Sequence, residues 1–238
     1  MQILRRWMTA VVIAGVALSA GAAHAAGQGK AASGPTTGLT EDRGKFRAYL
    51  DGQPAATEEF SISRSGSEWV CRGSSQVKLP EGGTEEVSGE LRLAGDGSPR
   101  AYTWTAKGSK KASGATEFSG NTARMQLQAE GTQGFTQEFT FESGRVLVLD
   151  NNLYHHYAVL ARLFDWNAKG VQTFSVLIPQ DLTPGSITVE WAGPQEFAGT
   201  MYDVLRVKSA DLDLELYVKG GRLDRIYVPT AKVDVRRE

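Results

Sequence analysis

The amino-acid sequence predicts a mainly β protein: a single curled antiparallel sheet, half-barrel or barrel-like, with one amphipathic helix packed in its concave face. Three observations lead there. Apolar and polar residues alternate with a period of two from Lys45 to Ala129 and again after Gly170, the pattern of strands with one packed and one wet face. Spacers rich in Gly, Asp and Pro separate those runs. One segment, Asn151 to Trp166, carries a helical period instead.

The chain begins in a different grammar. Arg5 and Arg6 precede the apolar run from Trp7 to Leu18, and Ala23-His24-Ala25 with Ala26 comes after it. A basic start, a short apolar run and an Ala-x-Ala site mark a secretory signal peptide, and the run is shorter than the ~20 residues a spanning helix needs. Residues 1–25 are therefore expected to be removed by a cut after Ala25. The product is expected to be periplasmic or secreted and not membrane-spanning. Cleavage takes away Arg5, Arg6 and His24, which turns the balance slightly acidic and leaves His155 and His156 as the histidines. Residues 26–44 are rich in Gly, Ala, Ser and Thr and read as a flexible leader. Residues 45–238 read as one β-rich domain.

Within that domain, Phe60 and Ile62 share a strand face, as do Trp69 and Cys71, Tyr102 and Trp104, and Met125 and Leu127. Gly95-Asp96-Gly97 and Glu142-Ser143-Gly144 supply turns, because glycine accepts positive φ without a Cβ clash. The run Val171–Ile178 is β-branched and aromatic and stops at Pro179; Thr183-Pro184-Gly185-Ser186 is expected to turn. Further strands follow at 187–191, 200–208, 211–218 and 223–228, the last two joined by the hairpin Lys219-Gly220-Gly221-Arg222. About a dozen strands result, more than the ~10 that a twisted open sheet carries without curling.

The helical segment places Leu153, Tyr157, Leu160 and Phe164 on one stripe. Asp150, Asn151 and Asn152 are its N-cap candidates, and Asn167, Lys169 and Gly170 suit its exit. The stripe is wide, which fits a helix lying against the concave side of the sheet.

Chemistry is sparse. Lys and Arg number 26 against 27 Asp and Glu, without the basic excess of a nucleic-acid binder. His155 and His156 are adjacent, so on a helix they diverge by ~100° and do not share one metal as i, i+4 ligands do. No metal site and no cofactor is expected. His156 borders the apolar stripe and is expected to hydrogen-bond to the sheet; His155 is expected to be solvated, near Arg162. The lone Cys71 forms no internal disulfide, lies far from the cleavage site and so offers no thiol for a lipid anchor, and reads as buried and inert. No Gly-x-Ser-x-Gly elbow surrounds a serine, and Gly95-Asp96-Gly97 precedes a strand rather than the helix a phosphate loop requires. No catalytic set emerges. What remains is shape: a curled sheet can hold a cavity, and Tyr154, His156, Tyr157, Leu160, Phe164 and Trp104 are the candidate ligand-binding residues.

The segment VLDNNLYHHYAVLARLFDW, followed by QTFSVLIPQ, and the closing DLDLELYVKGGRLDRIYVPTAKVDV resemble exported β-rich families of unknown function. Their fold is similar to that of the periplasmic lipoprotein carriers LolA and LolB. The resemblance spans most of residues 45–235 and rests on fold motifs, so no ligand residue carries over from it. It implies an open half-barrel holding acyl chains. The chain departs from LolB-like members in lacking the anchor cysteine. The expected function is an exported binding or carrier protein for a hydrophobic ligand such as a lipid, or for an envelope component, rather than an enzyme. Two alternatives stand beside it. One is an envelope enzyme using His155 or His156 with Asp165 or Tyr154, which requires an imidazole opening onto a pocket within reach of an acid. The other is a structural partner of envelope proteins, docking by a sheet edge.

Overall fold

The computed structural model describes residues 38–238 apart from 81, 180, 181 and 211. The signal-peptide segment and most of the leader lie outside the described residues. Among the described residues, fifteen strands form one sheet. The first eight make a meander: β1 (Asp42–Leu50), β2 (Gln53–Ser65), β3 (Glu68–Lys78), β4 (Thr84–Leu93), β5 (Pro99–Lys107), β6 (Lys111–Ser119), β7 (Thr122–Ala129) and β8 (Phe135–Thr140). The chain then crosses to the far edge as β9 (Val146–Val148). It returns through β10 (Gln172–Ile178), β11 (Thr183–Phe197), β12 (Thr200–Lys208), β13 (Asp213–Lys219), β14 (Arg222–Val228) and β15 (Val233–Arg237). β15 pairs with β1, so the first and last strands meet inside the sheet. Among the described residues, every pairing is antiparallel except β9 with β10. That parallel pair needs a crossover, and α1 (His155–Leu163) provides it.

The outermost strands, β8 and β9, are not partners. Instead β9 packs against β5 and β8 against β11. The sheet thus curls past itself, and side-chain packing rather than a hydrogen-bonded seam closes it. The predicted curled antiparallel sheet with one enclosed helix is the observed architecture. The hairpins follow from local chemistry: Gly220 and Gly221 have φ of 57° and 78°, and Asp51 and Gly52 have 49° and 78°. These are the paired positive values of the type I′ turn that matches strand twist.

Three local expectations are corrected. β1 begins at Asp42 and Leu39 is already buried, so the ordered chain starts before Lys45. Thr183–Ser186 does not turn; it is the first part of β11, with Pro184 opposite Leu177. Proline is tolerated there because β12, the other neighbour, reaches only as far as Thr188, leaving no ladder bond for the missing N–H. The helix occupies 155–163 rather than 151–166.

The core lies on the inner face, where Phe46, Ile62, Leu91, Tyr102, Met125, Leu177 and Leu205 belong to one buried cluster with the apolar residues of α1. All residues from His155 to Arg162 are buried. A row of glycines makes room for the start of this helix. In the cross-strand register Gly73 faces Gly89, Gly89 faces Trp104, and Trp104 faces Gly114. A Cβ on Gly73 would stand 2.6 Å from Glu58 Oε1 and 2.7 Å from the His155 ring, and one on Gly89 would stand 2.7 Å from Leu153. Gly114 is covered by the Trp104 indole. The missing side chains form a trough in the wall, and the first turn of α1 sits in it.

Candidate functional site

The densest polar chemistry lies at the N-terminal end of α1. Glu58 stands on β2 two residues before Phe60, so alternation turns it inward with Phe60 and Ile62. Its Oε1 is 2.6 Å from His155 Nδ1, and its Oε2 accepts the His155 backbone N–H at 3.2 Å. The Tyr154 backbone also hydrogen-bonds this carboxyl. The helix has no side-chain cap of its own at Tyr154. A carboxyl from a distant strand caps it instead. Asp150, an expected N-cap, is engaged elsewhere. Its Oδ1 accepts the Asn152 N–H at 2.8 Å and its Oδ2 accepts the Tyr102 hydroxyl at 2.6 Å.

Burial sets the protonation states. It raises the Glu58 carboxyl well above the usual carboxylate range, against the two backbone N–H bonds that favour its charged form. It lowers His155 and His156 to about 3. At neutral pH both imidazoles are neutral, and Glu58 Oε1 and His155 Nδ1 share one short hydrogen bond. His156 Nδ1–H donates to the Val148 carbonyl at 3.0 Å, which fixes its tautomer. The expected solvation of His155 is corrected: it is fully buried, because the trough over Gly73 admits its ring. Cys71 is buried as expected, and burial pushes its thiol up to about 12.

The other end of α1 carries an ion cluster. Arg162 Nη2 is 2.7 Å from Asp42 Oδ2, and Arg237 makes a bidentate pair with the same carboxylate at 2.6 and 3.0 Å. Burial alone would raise the Asp42 carboxyl, but the guanidiniums of Arg237 and Arg162 override it and hold it below its ordinary value. This cluster joins β1, β15 and α1.

The six candidate ligand residues come together but are covered. Leu160, His156, Trp104, Phe164, Tyr157 and Tyr154 range from 0 to 6 % exposed. They form core around and within α1. A cavity of about 20 Å³ lies between Tyr154, Ala48 and Val233, close to the room one water needs. Neither imidazole opens outward, so the condition set for a histidine-dependent enzyme is not met. A much larger concavity, about 660 Å³, lies across β5–β8. Its side chains Thr103, Thr105, Gln126, Gln128 and Thr136 are exposed and Ser113 half-exposed, which places it on the outer face.

Sequence reasoning missed Glu58, although its parity with Phe60 and Ile62 was a usable signal. Among the described residues, no group of three or more His, Cys, Asp and Glu side chains is placed to hold a metal ion.

No protein-family model and no curated protein matches the sequence. Among solved structures, the chain is similar to a β-barrel-like protein of the domain of unknown function DUF1849 from Brucella abortus. The TM-score is 0.55 at 9% sequence identity, over 85% of this chain and 96% of that one. A protein of the DUF1089 family from Pseudomonas aeruginosa is matched with a TM-score of 0.46 at 8% identity, over 74% and 90% of the two chains. The first of these likenesses supports the fold: a β-barrel-like architecture shared with a protein of unknown function.

Proposed function

We propose that the chain is an exported binding protein for an envelope component, which it engages on the outer face of its curled sheet. The observation that carries this reading is where the concave space lies. The inner face is taken up by α1 and its packing residues, whereas the groove across β5–β8 is open. Export rests on Arg5, Arg6, the apolar run from Trp7 to Leu18 and the Ala23-His24-Ala25 site. A hydrophobic ligand on the inner face would have to replace α1, which is tied at one end by Glu58 and at the other by Asp42.

The test uses the chain as exported. Cell fractionation with N-terminal sequencing is expected to find a product starting at Ala26 outside the cytoplasm; an uncleaved cytoplasmic product overturns the export reading. The isotope-labelled product is then titrated with phospholipid vesicles and with the polysaccharide fraction of an envelope extract, and its backbone amides are followed by NMR. Shifts confined to outer β5–β8 support the reading. Lipid-induced shifts at Tyr154–Phe164 would restore the internal carrier, and no shift with either fraction would leave no envelope ligand at all.

A further inference from the structure

We infer that the outer groove across β5–β8 is a binding site for an uncharged polyhydroxyl chain, a neutral oligosaccharide segment; this rests on the binding role proposed above and names its ligand class. The groove has a structural cause. Ser113 and Ala115 of β6 are the shortest outward side chains, between Thr103 and Thr105 of β5 and Gln126 and Gln128 of β7. Low relief on the middle strand and taller walls on its neighbours make a trench. At its outer end, Gly134, just ahead of β8, contributes no side chain.

The lining is chemically selective. None of its residues carries a charge. Charges stand on both sides of it instead, with Lys107 opposite Lys111 at one end and Glu117 opposite Arg124 at the other. An ionic ligand finds no counter-charge in the trench. Hydroxyls and carboxamides both donate and accept, which suits a ligand made of hydroxyl and amide groups. Their spacing is set by the sheet: about 4.8 Å between strands and about 6.8 Å between alternate residues along one strand. Four strands give a strip roughly 14 Å across, a footprint for a short run of linked sugar rings lying over the strands. A peptide extending the sheet would instead run along the β8 edge and leave the β6 and β7 side chains uncovered.

The experiment titrates the mature chain with cellohexaose, chitohexaose and, as a charged counterpart, an oligogalacturonate, reading amide shifts by NMR. A neutral oligosaccharide is expected to move the amides of Ser113, Ala115, Gln126 and Gln128 and to bind more tightly than the charged one. Ala115→Trp, at an exposed position, fills the trench and is expected to weaken binding by roughly tenfold or more, with an unchanged unfolding midpoint. Tighter binding of the charged sugar, shifts confined to β8, or equal binding by Ala115→Trp would each overturn the assignment. If the envelope polysaccharide fraction moves the groove amides and neither neutral oligosaccharide does, the ligand class fails and the binding role stands. If nothing moves them, both fail.

Discussion

Glu58 combines two roles in one buried side chain: it caps a helix and it holds His155. Its pH signature follows. Unfolded, each imidazole takes up a proton below about 6.5; folded, both stay neutral down to about 3. Between those values the unfolded chain binds more protons, so stability falls as the pH is lowered, by roughly 1.4 kcal/mol per pH unit and histidine. Glu58 works the other way. Its folded pKa lies well above 4.5, so its contribution is present at low pH and is lost as the pH rises through the folded value. Two histidines outweigh one glutamate on the acid side, so the cluster's contribution grows as the pH rises from about 3 towards 6.5. Urea unfolding across that range is expected to show a midpoint that rises with pH. Glu58→Gln, which releases no proton, is expected to steepen that rise, because the opposing slope of Glu58 is gone. A rise absent from the wild type would mean that the imidazoles are charged in the folded chain.

At the scale of elements, the glycine trough and α1 depend on each other. Gly73→Ala puts a methyl 2.6 Å from Glu58 and 2.7 Å from His155 and is expected to cost about 1–3 kcal/mol, as overpacking does. Gly144→Ala, where an added Cβ meets nothing, is expected to stay within about 0.5 kcal/mol. Denaturant midpoints of the two variants, compared with the parent, check the contrast; equal effects would remove the trough as the helix seat. The strands were legible because alternation is local: Asp213 to Leu216 can be read without knowing any neighbour. The ends of α1 were not. Asp150 and Asn152 look like caps in sequence, but the cap comes from Glu58, 97 residues away. Thr183–Ser186 reads as a turn until β10 supplies a partner for it.

At the scale of the molecule, three parts are joined at one carboxylate. Asp42→Asn leaves Arg162 and Arg237 buried without their counter-charge and is expected to destabilise by about 3–5 kcal/mol. A thermal unfolding scan checks this; a loss below about 1 kcal/mol would show that water reaches the cluster. The curl and the enclosed helix were legible, since about a dozen strands and one wide stripe admit few other arrangements. Whether the inside was hollow was not, because filling depends on how Leu153, Tyr102 and Trp104 settle over Gly89 and Gly114. The outer groove was hidden for a related reason. Ser113 and Ala115 make a trench only once Thr103 and Gln126 are known to flank them.

The meeting of β1 with β15 also sets a timetable. Of the fifteen strands, a ribosome delivers Asp42–Leu50 first and Val233–Arg237 last, so β1 waits with one edge bare until every other strand has been made. The clamp on Asp42 likewise waits for Arg237. Such a sheet cannot be finished strand by strand as it emerges, and a truncation that removes β15 releases two halves without the strand that lies between them.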